Sequence, residues 1–153
     1  MLIYFAGPMF CQAELAFNAS LTEKLEAKGY SVFLPQRDGI EPTLDRYKNH
    51  SEKELCKLIF DFDRNEILKA DIFLMILDGR TPDEGACVEL GIAHENKHLN
   101  NREKLLIGLH TDMRAFARLF RLNAMLYGPL DVVVDNIDDL IIEIDRYAMK
   151  NAP

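Results

Sequence analysis

The chain has 153 residues, 18 Lys and Arg against 25 Asp and Glu, and a formal net charge of −7. At roughly 150 residues per domain this is one domain, able to bury about 70% of its unfolded surface, so its core needs no disulfide or metal. A pI near 5.1 with no basic stripe argues against a nucleic-acid binder, and no apolar run reaches the roughly 18 residues of a membrane span.

Leu2 to Ala6 forms a short apolar run closed by Gly7-Pro8, which reads as a buried strand and its turn. That run starts too early to leave room for a signal peptide. Cys11, Cys56 and Cys87 are odd in number, far apart and without a C-x-x-C, the pattern of reduced thiols. A cytoplasmic location is expected from both.

Leu15, Leu21 and Leu25 predict a helix from about Gln12 to Lys28, stopped by Gly29. Tyr30 to Leu34 reads as a second strand and Pro35 to Asn49 as a polar loop. Ser51 with Glu54 makes a capping box, opening a helix to about Leu68. Ile72 to Leu77 is apolar throughout, as a central strand covered on both faces requires. The loop Asp78 to Glu84 then feeds a helix from Gly85 to about Glu95. Leu105 to Leu109 and Val132 to Val134 are the fourth and fifth strands. Between them, Thr111 to Tyr127 is helical in pattern and basic, with Arg114, Arg118 and Arg121 on a solvated face. Asn136 caps a final helix with Leu140, Ile141, Ile144 and Tyr147 on its apolar stripe. Strands alternating with helices imply a doubly wound, flavodoxin-like or Rossmann-like α/β fold. It should have five parallel strands, right-handed crossovers and helices on both faces.

Ligands of such sheets sit beyond the carboxyl ends of the strands, where strand order reverses. No G-x-G-x-x-G follows the first strand and no P-loop occurs, which disfavours a dinucleotide enzyme or a P-loop NTPase. His94-Glu95-Asn96-Lys97-His98 matches the zinc pattern H-E-x-x-H, but it falls at a predicted helix end, where histidines complement the dipole.

The stretch Asp78 to Gly91 follows the central strand and so reaches the ligand end. Asp83 stands at the N-cap position, and capping alone would explain it. Glu89, in the second helical turn, is favoured there by the dipole in any case. Its neighbours Gly91 and Ala93 would let the helix lie close to the sheet and turn Glu89 toward the cleft. A carboxylate held in such a place suits a nucleophile.

The run Ile3-Tyr4-Phe5-Ala6-Gly7-Pro8 with Phe10, the helix start Asp83-x-Gly85-x-x-x-Glu89-x-Gly91-x-Ala93, and Asn123-Ala124-Met125 resemble the nucleoside 2-deoxyribosyltransferase family. The resemblance implies that Glu89 attacks C1′ of a 2′-deoxynucleoside to form a covalent deoxyribosyl-enzyme, which a second base then intercepts in a ping-pong exchange. It implies that Asp63 handles base protonation and that Asp83 binds the 5′-hydroxyl. Asn123, from a neighbouring subunit, assists Asp83, and Met125 belongs to the same borrowed segment. Tyr4 is close to the nucleophile, Tyr4 and Gly7 are assigned to substrate binding, and Gln36, in the loop after strand two, is assigned to the base. No metal or cofactor is implied, because nucleophile and acid are both protein carboxyl groups. The partners implied are deoxyribonucleosides, free bases and further copies of the chain.

Independent chemistry agrees with these roles. Glycosyl transfer through an oxocarbenium-like transition state can be trapped by a carboxylate on one face, and the departing base needs a proton. Phe60 and Phe62 beside Asp63 would raise its pKa by burial. A surface charge on the helix is the plain alternative for Asp63. Asp71 reads as structural, and Asp78 as unassigned at the ligand end. Three other functions compete. A 2′-deoxynucleoside 5′-monophosphate N-glycosidase resembles this pattern but has small hydroxyl residues in place of Asp83. A receiver-type signalling domain would need acidic residues where Gly7-Pro8 stands. A nucleotide-sensing module would have little use for three cleft carboxylates.

Overall fold

A computed structural model describes residues 1–79, 81–100, 103–112 and 122–151. Five parallel strands form one sheet: β1 (Leu2–Ala6), β2 (Ser31–Phe33), β3 (Ile72–Ile76), β4 (Leu105–Leu109) and β5 (Val132–Val134). Their order is β2-β1-β3-β4-β5, which is the doubly wound arrangement expected. Strand order reverses between β1 and β3, so the crevice beyond their carboxyl ends is where such a sheet receives a ligand.

Successive residues of each strand supply opposite faces of the sheet. Ile3, Phe5, Leu74 and Ile76 join Leu21 and Leu25 of α1 (Gln12–Ala27) and Leu140 and Ile144 of α6 (Ile137–Lys150) in one core. Tyr4, Phe73 and Met75 join Ile67 of α3 (Glu52–Lys69) and Ala86, Leu90 and Ala93 of α4 (Glu84–Leu99) in the other. Every residue of β3 is buried, as its unbroken apolar run predicts.

The helix signals act as read. The Ser51 hydroxyl accepts from the Glu54 amide, and the Glu54 carboxylate accepts from the Ser51 amide at 2.8 Å. Asn136 caps α6 by accepting from the Asp139 amide. Gly29, at φ 91°, takes the left-handed turn that stops α1. Asp71 accepts from the Leu2 amide at 2.9 Å, which anchors β1 beside β3.

Three expectations change. The segment after β2 is not only loop: Pro35–Asp38 forms the short helix α2, with Pro35 at its first position, and Asp45–Tyr47 forms a 3₁₀ turn. Second, α4 continues to Leu99, so His94 and His98 lie on the helix with ring centroids 4.2 Å apart. Third, Gly91 does not draw α4 onto the sheet. It is exposed with open space at its Cβ position, and Ala86 and Ala93 make the close approach. In the basic segment, α5 spans Ala124–Tyr127, while Arg114, Arg118 and Arg121 lie outside the described residues. No helix among the described residues is long and apolar enough to cross a membrane.

Leu74 is fully buried at the centre of β3. Leu74→Ala should lower stability by about 2–5 kcal/mol, read as a lower urea midpoint with an unchanged slope.

Candidate active site

The site begins with Tyr4. Its side chain leaves β1 on the α3 and α4 face, and its ring lies between Phe33 of β2 and Phe73 of β3. Those centroids are 5.4 and 5.8 Å away, with interplanar angles of 16° and 5°. Strand register dictates the stack, because Tyr4 pairs with Phe33 on one side and Phe73 on the other. The Tyr4 hydroxyl donates to Glu89 Oε1 at 2.7 Å, joining the middle of β1 to the second turn of α4. Burial, then the charges of Glu89 and Asp63, push the phenol far above its ordinary pKa, so it stays a donor.

Glu89 is withdrawn from water. Burial pushes its carboxyl up to about 7; the Tyr4 hydrogen bond pulls it down, and Asp63 and Asp83 push it up further. Asp63 faces the same space from α3, where burial and then the Glu66 charge push its carboxyl up to about 6. Its Oδ1 atom is buried and takes no hydrogen bond from any described residue. A surface-charge role does not fit that environment. At pH values between these two the carboxyls hold about one proton between them, and the higher value of Glu89 places more of it there.

Both carboxyls line a cleft of about 370 Å³ between α3 and α4. From α3 it receives Cys56, Ile59, Phe60, Asp63 and Ile67, at the three- and four-residue spacing of one helix face, with Arg64 beside them. Gly85, Val88, Glu89 and Ile92 supply the α4 wall. An apolar cleft with two convergent carboxyls can hold a flat heterocycle and exchange one proton with it.

Asp83 caps α4, accepting from the Ala86 amide at 2.7 Å through Oδ2. A carboxylate has about four lone-pair sites, so capping leaves it free to accept from a hydroxyl as well. At Gly7, an added Cβ would stand 3.0 Å from Ile76, so packing of the β1 end on β3 already accounts for the glycine. Gln36 spends its amide on α1: Nε2 donates to the Leu15 carbonyl, and Oε1 accepts from Asn18 at 3.2 Å. A base contact by Gln36 would require those bonds to be exchanged. Asn123 caps α5 by accepting from the Met125 amide, and Met125 is 81% exposed. Neither has a described contact with the Glu89 group. Asp78 accepts from the Thr111 amide and hydroxyl and from the Asp112 amide, which fixes the exit of β4.

Sequence reasoning missed the α3 wall and Phe33. The wall was marked by Cys56, Ile59, Phe60, Asp63 and Ile67 recurring at helical spacing. Phe33 carried no local signal, because its neighbours belong to other strands. Among the described residues, no group of three or more His, Cys, Asp or Glu side chains is placed to hold a metal ion.

Comparison with known proteins gives a consistent picture. A conserved protein from Enterococcus faecalis V583 superimposes with a TM-score of 0.76 and 28% identity, over 95% of this chain and 98% of its own. The 2-deoxyribosyltransferase of the psychrotolerant bacterium Bacillus psychrosaccharolyticus superimposes with a TM-score of 0.71 and 23% identity, over 92% and 90%, and shares the fold. No protein of curated function matches. The model of the family described as nucleoside 2-deoxyribosyltransferase matches residues 3–143, and the chain therefore belongs to the nucleoside 2-deoxyribosyltransferase family.

Proposed function

We propose that the protein exchanges the base of 2′-deoxyribonucleosides through a covalent deoxyribosyl intermediate on Glu89. The observation that carries this reading is the pair of half-buried carboxyls, Glu89 and Asp63, in one apolar cleft, with Glu89 oriented by the Tyr4 hydroxyl.

In the first half-reaction the Glu89 oxygen not held by Tyr4 attacks C1′. The C1′–N bond breaks, and Asp63 gives its proton to the departing base. A glycosyl ester of Glu89 remains. In the second half-reaction a nitrogen of the incoming base attacks C1′, its proton passes to Asp63, and the Glu89 carboxylate leaves. Two inversions at C1′ give net retention. Tyr4 stabilises the carboxylate as leaving group in the second step and orients it in the first. The apolar walls supply stacking surface for the base and keep water from the ester.

Asp83 receives the 5′-hydroxyl while it caps α4. Gly7, at the turn after β1, contributes its backbone to the substrate site. Asn123 and Met125 serve a neighbouring copy, consistent with the exposure of Met125 and Tyr127, so the active protein is at least a dimer. Gln36 reaches the base only by exchanging its bonds to α1. A carboxylate at position 83 repels a phosphate dianion and accepts from a hydroxyl, which favours nucleosides over nucleotides. The fold, the family and two protein carboxyls call for no cofactor, and the setting is the cell's pool of free nucleosides and bases.

With deoxyinosine and adenine the protein should form deoxyadenosine, and Glu89→Gln should form none. The same variant should melt higher. Glu89 titrates near 7 when folded, above its ordinary 4.5, so the folded state gives up stability as pH rises through that window. The cost is roughly 3 kcal/mol at pH 8 and nearly nothing at pH 4. Thermal melts of the two proteins should therefore diverge at pH 8 and converge at pH 4.

The reactive form has one proton on the pair, held by Asp63, and is the less populated of the two tautomers because Glu89 titrates higher. Transfer efficiency against pH should be bell-shaped with limbs near 6 and 7. Tyr4→Phe removes the bond that lowers the Glu89 carboxyl, so the upper limb should move to higher pH and the maximum should fall.

Deoxynucleosides should be cleaved faster than their 5′-monophosphates. The reverse order, with release of free base and no exchange, would replace this reading with a nucleotide hydrolase.

A further inference from the structure

The Tyr4 hydroxyl can serve Glu89 only while the ring beneath it keeps one orientation. A tyrosine has two side-chain torsions, and a modest rotation about either would carry the oxygen away from a 2.7 Å bond. Nothing in the hydrogen bond itself prevents that rotation. The ring is held instead by its faces, with Phe33 at 5.4 Å and 16° on one side and Phe73 at 5.8 Å and 5° on the other.

The two flanking rings differ in what holds them. Phe73 belongs to β3, the central strand, and is wholly buried. Phe33 is the last residue of β2, which pairs with β1 alone at the edge of the sheet. It is steadied from outside by Phe62 of α3, whose ring meets it at 5.8 Å and 56°. Phe62 is the residue before Asp63. A continuous aromatic row thus runs from α3, through β2 and β1, to β3, and the hydroxyl on Glu89 projects from its middle.

We infer that Phe33 is a positioning residue for the transfer reaction, clamping the Tyr4 ring so that its hydroxyl stays on Glu89. The inference rests on the reading of Glu89 as nucleophile. Phe33 itself touches no reacting atom in this scheme. It fixes an acceptor geometry that a single hydrogen bond to a rotatable phenol would leave loose. An aliphatic side chain at position 33 would keep the core apolar and lose the flat face.

The test is a double-mutant cycle on exchange between deoxyinosine and adenine, using Phe33→Leu, Tyr4→Phe and the pair. Phe33→Leu should lower kcat about tenfold and leave KM within about twofold. It should also move the upper limb of the pH profile in the same direction as Tyr4→Phe, because both loosen the same bond. In the Tyr4→Phe background, Phe33→Leu should have almost no further effect, since no hydroxyl is left to position. A purely structural phenylalanine would give additive losses and an unmoved pH limb, and either result overturns the inference. Phe33→Met, close in volume, replaces Phe33→Leu if the latter unfolds, and an unchanged kcat and pH limb in folded Phe33→Met overturns it equally. Full exchange by Glu89→Gln would instead overturn the underlying reading, so the two failures are distinguishable.

Discussion

The site depends on keeping a carboxylate out of water at the end of a parallel sheet. Glu89 has lost most of its hydration, which raises its pKa, and one phenolic hydrogen bond compensates part of that loss. Around that bond the other features become intelligible. Tyr4 must sit where β1 passes under α4. Ala86 and Ala93 must be small enough for α4 to approach the sheet, and the α3 wall must be apolar so that Asp63 shares the desolvation. The family assignment gives this arrangement a chemistry, but the strained electrostatics are visible without it.

The two carboxyls are raised by the same cause and to similar values. A pair of this kind divides one proton between its two values, and the proposed reaction needs that proton on Asp63 while Glu89 is bare. Tyr4 lowers the Glu89 carboxyl, because its hydroxyl bonds the ionised form more strongly than the protonated one. Asp63 has no corresponding donor among the described residues, and its orphan Oδ1 favours the protonated state. The Tyr4 hydroxyl narrows the gap between the two carboxyls without reversing it, since Glu89 at about 7 still titrates above Asp63 at about 6.

Most of the fold was legible because its signals are local. The unbroken apolar run of β3 announces a strand covered on both faces, and the Ser51–Glu54 and Asn136 caps mark helix starts to the residue. Boundaries set by packing were less legible: α4 outruns its predicted end because Asn96 is still held against the core. The site was legible where the chain keeps residues close together, as in Asp83 to Glu89. Asp63 required the family resemblance, since a helical aspartate looks the same whether it faces water or a cleft. Phe33 was beyond reach, because cross-strand register is not written in neighbouring residues. The bonds of Gln36 to Leu15 and Asn18 were hidden for a related reason: those partners are distant in the chain and invisible to a local reading.

Asp83 caps α4, and in the proposed reaction the same side chain receives the 5′-hydroxyl. The residues that cap helices well are Ser, Thr, Asp and Asn, all of which offer an oxygen to the first free amides. Within that set a carboxylate repels a phosphate dianion while a small hydroxyl can donate to it, so the same residues would separate a 5′-hydroxyl site from a 5′-phosphate site. A single replacement within that set can therefore change which metabolite is admitted without unravelling the helix that carries the nucleophile. Divergence from nucleoside to nucleotide chemistry on this scaffold has a path along which the fold is not put at risk.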